Sequence, residues 1–133
     1  TVTFESSILA NNIDITGVND INRIGSGTVS ATNSLFEENV TATSVINGTN
    51  TANLIGVDPQ LLALADNGGP TNSMRPGPTS PAIGAGSNSQ AYAFDQRGNG
   101  FARNEGGAVD IGAIQRALPP VAPNIAYAPD TGT

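Results

Sequence analysis

The chain has 133 residues, 38% of them hydrophobic and only 5% aromatic, and its formal net charge is −6, from eleven carboxylates against five cationic side chains. All five cations are arginines, and with no Lys, His, Cys or Trp anywhere, imidazole and thiol catalysis, Schiff-base lysines, disulfides and Cys/His metal sites are excluded. The acid excess argues against a basic nucleic-acid or membrane-surface face, and no run approaches the ~18 apolar residues that a bilayer span needs.

Sixteen Gly and nine Pro make turns frequent and strands the default element. The opening "TVTFESSILANN" lacks the basic start and long apolar stretch of a signal peptide. A segment of a longer protein is expected. "SILANNIDIT" (7–16) aligns with "SLFEENVTAT" (34–43) at an offset of 27, placing Ser7 on Ser34, Ile8 on Leu35, Leu9 on Phe36 and Asn12 on Asn39. "NRIG" (22–25) aligns with "NLIG" (53–56) at an offset of 31, with "NGTN" (47–50) as the candidate insertion. Ile13 and Ile15 alternate with Asp14 and Thr16, and Val40 and Ala42 with Thr41 and Thr43, the period of a half-buried strand. Short strands in a repeating unit of this length predict turns of a β-solenoid, each stacked on its neighbours, with Asn12 over Asn39 as a corner ladder.

"DPQLLALADNGG" (58–69) reads as a short helical turn. Asp58 suits the N-cap, Pro59 the first helical position, and Gly68 or Gly69 a left-handed stop. As a cap over the column, residues 58–86 are expected to bury Leu61, Leu62, Leu64 and Ile83. "SPAIGAG" (80–86) and "GAVDIGAI" (107–114) predict further short strands, with Val109, Ile111 and Ala113 facing one way and Asp110 and Gly112 the other. From Ala117 the Pro-rich "ALPPVAPNIAYAPDTGT" reads as a linker. Its Tyr127–Gly132 end distantly resembles a sortase sorting signal, without the hydrophobic helix and basic end that would follow one.

The ordered motifs "DPQL" (58–61), "LADNGGPT" (64–71), "SPAIGAG" (80–86), "DQRG" (95–98) and "VDIGAI" (109–114) resemble the C-terminal part of large bacterial surface proteins, segments of the choice-of-anchor Q kind. With the upstream "SSILANN" and "TNSLFEEN", the resemblance covers about residues 4–115. It implies an all-β right-handed parallel β-helix: turns over 1–57, C-terminal turns and a loop-rich cap over 58–116, and a tail over 117–133. It also implies an extracellular or cell-surface location, neighbouring domains of a longer chain as partners, and surface glycans or other surface proteins as candidate targets. Departures are visible. A histidine of the family pattern is absent, two residues are added before Ser80, Gly84 replaces Asp, and the closing motif ends Ile114-Gln115. Any ligand role of that His or Asp is therefore closed to this chain.

Three chemical readings compete with a structural role. Asp95, Arg97, Arg103, Glu105 and Asp110 form the densest charged set, and a pectinase-like lyase or glycoside hydrolase would use such carboxylates. Asp95 and Asp110 as turn caps, with Arg97 and Arg103 pairing carboxylates, is the preferred alternative. Asp66 stands alone between Asp58 and Asp95, too sparse for a calcium cage. Glu37-Glu38 reads as a solvated corner, and the Thr1–Thr3 and Thr41–Thr43 pairs as ordinary strand threonines, not an ice-binding array. Asn39-Val40-Thr41 and Asn47-Gly48-Thr49 match a glycosylation sequon, but the resemblance to bacterial proteins disfavours their modification. A carbohydrate-binding module is disfavoured, because only Tyr92, Tyr127 and four Phe could stack on sugars. No catalytic, cofactor or metal residue is assigned, and a non-catalytic structural or adhesive segment is the expectation.

Overall fold

The computed structural model describes residues 1–14, 17, 18, 20, 21, 23, 25–38 and 45–116. The 117–133 tail, Asn39 and the 40–43 strand lie outside them. The strands are β1 (Val2–Glu5), β2 (Ile8–Leu9), β3 (Ile13–Asp14), β4 (Gly17–Val18), β5 (Val29–Thr32), β6 (Leu35–Phe36), β7 (Asn50–Thr51) and β8 (Leu54–Ile55). They form two three-stranded parallel sheets, β1-β5-β7 and β2-β6-β8, and an antiparallel pair, β3-β4.

The β-branched and aromatic residues of "VTFE" and "VSAT" suit a pleated surface. Val2 pairs with Val29 and Phe4 with Ala31. In the second sheet Ile8 pairs with Leu35 and Leu9 with Phe36, the residues aligned at the offset of 27. The next strand falls closer: Leu54 pairs with Leu35 and Ile55 with Phe36. Adjacent residues of a strand face opposite ways, so the buried β6 serves two cores. Phe36 joins Val29, Ala31 and Ile46, with the Phe4 ring edge-on at 6.1 Å. Leu35 packs instead with Ala82 and Ile111 of the C-terminal half.

Each sheet-to-sheet corner is turned by a left-handed residue: Ser6 (φ 47°), Asn33 (φ 47°) and Ala52 (φ 54°). Beside it the corner side chains bond across the strands. Ser34 Oγ accepts from Ser7 N–H at 3.2 Å, and Asn53 Oδ1 accepts from Ser34 N–H at 2.9 Å.

The expected β-helix is not what forms. The parallel ladders stop at β7 and β8, the step between pairing strands changes, and no closed coil is present among the described residues. Beyond β8, among the described residues, the chain makes only isolated antiparallel bridges, Leu61 to Pro76, Ala65 to Ser73, Phe94 to Ala102 and Glu105 to Ala108. The cause is local. Gly and Pro recur too often through 68–107 for a β-branched run to extend a ladder. "SPAIGAG" accordingly turns instead of extending, joined to 109–111 by Gly86 N–H to Val109 O and Ile111 N–H to Ala82 O, both 2.8 Å. Val109 and Ile111 are buried, but so is Asp110, and Ala113 is exposed, so the expected alternation fails there.

The helical turn at 58 is also absent. Asp58 Oδ1 accepts from Gln60 N–H at 2.7 Å, an Asx turn that places Gln60 at φ 49° and stops a helix from starting. Residues 60–77 then run as an irregular hairpin, with Ala65 and Ser73 exchanging both backbone bonds at 3.1 and 2.9 Å. Leu62 is 39% and Leu64 64% exposed, and Leu61 and Ile83 are only half-buried, so these side chains do not form the expected cap; within 58–86 it is Ala82 that enters a core. Gly68 and Gly69 do take positive φ, 88° and 84°. A Cβ on Gly69 would stand 2.7 Å from Arg97 Cα, so this glycine lets two loops touch. Ile13, expected on the buried face of a half-buried strand, is 79% exposed, and Asn12 donates to Asp20 at 3.3 Å.

Candidate functional site

An open groove of about 670 Å³ lies where the ends of β1 and β2 meet the C-terminal loops. Residues 5–8, 87–90 and 111–113 line it, together with Leu61, Met74, Tyr92, Phe94, Asp95, Gln96 and Arg103. Gly112 N–H donates to Ser6 O at 2.7 Å, which fastens the C-terminal segment beside the left-handed corner. Ser6 Oγ donates to Ser87 O (2.8 Å) and accepts from Ser87 N–H (2.6 Å), closing the other side.

Glu5 is exposed to this groove. Its carboxylate accepts from Ser89 Oγ at 2.6 Å and from Ser89 N–H at 3.1 Å. The hydrogen bonds of Ser89 and Ser87 hold its pKa below the usual glutamate value. Asp95 is buried. Burial acts to raise its pKa, but the Arg97 side chain, the N–H groups of Gln115 and Arg97, and the Arg97 charge bring it below the usual aspartate value. Arg97 Nη2 lies 2.7 Å from Asp95 Oδ2, and the guanidinium sits 4.0 Å over the Phe101 ring.

Four of the five charged residues singled out in the sequence, Asp95, Arg97, Arg103 and Asp110, turn inward. Asp95 accepts from Gln115 N–H at 2.8 Å. Asp110, 1% exposed, accepts from Gly84 N–H (2.8 Å) and Arg116 N–H (2.7 Å). Both aspartates thus tie turns together. Arg97 pairs with a carboxylate, whereas Arg103 donates to the carbonyls of Gly112 (2.8 Å) and Asp110 (3.1 Å). Burial lowers the Arg103 pKa against the opposing pull of Asp95, Asp110 and Glu5, and an arginine remains charged regardless. Glu105 does not line the groove.

Asp66 Oδ1 accepts from Gly68 N–H at 2.9 Å and closes its own turn. Glu37 Oε2 accepts from Asn11 N–H at 2.9 Å. Among the described residues, no three His, Cys, Asp or Glu side chains are grouped to hold a metal ion. Sequence reasoning did not find Glu5, the serines at 6, 87 and 89, or Phe94 as groove residues. Glu5 and Ser89 are 84 positions apart, and neither lies in a motif.

No family model, curated protein or solved structure matches the chain.

Proposed function

We propose that the chain is a non-catalytic structural and adhesive segment of a larger secreted or surface-attached bacterial protein. One observation carries the non-catalytic part: both carboxylates lining the groove are held as hydrogen-bond acceptors, Glu5 by Ser89 Oγ and N–H and Asp95 by Arg97 and the Gln115 N–H, contacts that favour the ionised form of each. Glycosidic cleavage by a carboxyl pair needs one partner protonated as general acid, with its pKa raised toward neutrality. Here both partners are ionised at neutral pH, and Asp95 is already engaged by Arg97 and Gln115. The location rests on the motif resemblance. In this role the strand-rich body holds neighbouring domains apart and presents its surface outward.

The test is incubation with a panel of neutral and acidic polysaccharides, following reducing ends and unsaturated products. No turnover is expected on any of them. Turnover that persists after repurification and disappears in Glu5→Gln or Asp95→Asn, with circular dichroism unchanged, would reverse the reading. For the location, antibody raised against the chain should label intact cells of the source organism, and labelling only after lysis counts against it.

A further inference from the structure

We infer that the groove beside Glu5 binds a neutral oligosaccharide, with Tyr92 and Phe94 as its stacking surfaces. The inference rests on the non-catalytic adhesive reading and names the ligand class for it. The aromatic side chains divide sharply in role. Phe4 and Phe36 pack edge-on in the first core, and Phe101 lies under Arg97. The two other aromatic residues among those described, Tyr92 and Phe94, are 65% and 47% exposed, and both line this groove. Composition alone disfavours glycan binding because aromatics are few; two of the few stand two positions apart in the chain, and the fold places both on the groove.

Leaving Tyr92 in water gains nothing for folding, yet its backbone is held. Asn88 Oδ1 accepts from Tyr92 N–H at 3.0 Å, and Asn88 Nδ2 donates to Tyr92 O at 2.9 Å. A held backbone leaves only the side-chain rotamer to be ordered on binding. Sugar rings offer C–H faces to aromatic rings and hydroxyls to acceptors. Glu5 keeps acceptor capacity beyond its bonds to Ser89, since an ionised carboxylate has about four lone-pair sites. The volume falls within the ~300–1,000 Å³ of small-ligand clefts.

The same geometry selects against other ligands. Glu5 and Asp95 are negative, and the Arg103 guanidinium is held by two carbonyls, so a polyanion finds no free cation among the groove residues. A peptide adding as a strand meets the position beside Ser6 O already taken by Gly112 N–H.

The experiment is a ¹H–¹⁵N correlation titration of the full chain with neutral hexasaccharides of glucose, mannose, galactose and N-acetylglucosamine. Oligogalacturonate and an uncharged Val/Thr hexapeptide serve as comparisons. At least one neutral sugar should produce saturable shifts at residues 5–8, 88–96 and 111–113, with Kd of about 1 mM or tighter. Tyr92→Ala and Phe94→Ala, at exposed positions, should each weaken it about tenfold while leaving the remaining spectrum unchanged. Absence of saturable shifts with every neutral sugar, tighter binding of oligogalacturonate or the peptide, or full affinity in both variants would overturn the inference. Cleavage of a bound sugar would instead overturn the non-catalytic reading and leave the groove standing. Failure of binding without cleavage overturns the groove alone.

Discussion

Asp95 and Arg97 form a bidentate, largely buried pair. Arg97 Nε reaches both carboxylate oxygens at 3.2 and 3.1 Å, and Nη2 lies 2.7 Å from Oδ2. Arg97 also donates to Gln115 O at 2.8 Å and Asn67 O at 3.3 Å, so one ion pair joins three loops. Removing one partner of such a pair leaves the other charge buried without compensation. Asp95→Asn should therefore cost about 3 kcal/mol, read from urea unfolding at pH 7. The pH dependence follows from the direction of the shift. Because the folded-state pKa of Asp95 lies below the unfolded value of about 3.9, the ionised form stabilises the fold above that value. That contribution is lost as pH falls from about 4 through the folded pKa. Wild-type stability should decline over this window, and Asp95→Asn should decline less steeply. Parallel pH curves for the two proteins would show that Asp95 is not responsible.

At the scale of the elements, the corners decide how the sheets meet. Ser6, Asn33 and Ala52 hold the left-handed position between β1 and β2, β5 and β6, and β7 and β8. For Ala this conformation costs roughly 1–2 kcal/mol, and Gly adopts it freely at some entropic cost. Ala52→Gly should raise stability by about 0.5–1 kcal/mol in thermal or urea unfolding. A loss of stability would mean that the Cβ of Ala52 makes a contact worth more than the strain. The offset of 27 was legible because Ser7, Ile8 and Leu9 keep the character of Ser34, Leu35 and Phe36, and these residues pair. The next step was misread. "NLIG" (53–56) looks most like "NRIG" (22–25), but burial, not identity, sets pairing, and Leu54 lies against Leu35. The helix expected at 58 failed because an Asx turn and a helix N-cap begin with the same Asp-Pro signal. The Glu5 side of the groove was illegible because this carboxylate and Ser89, which orients it, meet only through the tertiary fold.

For the molecule as a whole, the deciding contact is that of Leu35 with Ala82 and Ile111, all 0% exposed. Leu35 belongs to the central strand of the second parallel sheet, whereas Ala82 and Ile111 belong to loops held by Ile111 N–H to Ala82 O at 2.8 Å. Loops this poor in ladder bonds rely on such buried side chains and on capped turns to stay in place. Leu35→Ala and Ile111→Ala should each cost about 2–5 kcal/mol, from lost transfer energy and the cavity left behind. Because the two side chains share one cluster, their effects should be non-additive by about 0.5–3 kcal/mol in a double-mutant cycle. Leu64→Ala, at a position 64% exposed, should change stability by no more than about 0.5 kcal/mol. Unfolding of a Tyr127→Phe variant, in which Tyr92 is the remaining tyrosine, followed by intrinsic fluorescence and by far-UV circular dichroism should give coincident transitions if this cluster couples the parallel sheets to the C-terminal loops. Additive Leu35 and Ile111 effects, together with separate transitions, would show that the two halves fold independently. A Leu64→Ala cost equal to that of Leu35→Ala would place the stabilising core under the 60–77 hairpin instead of at β6.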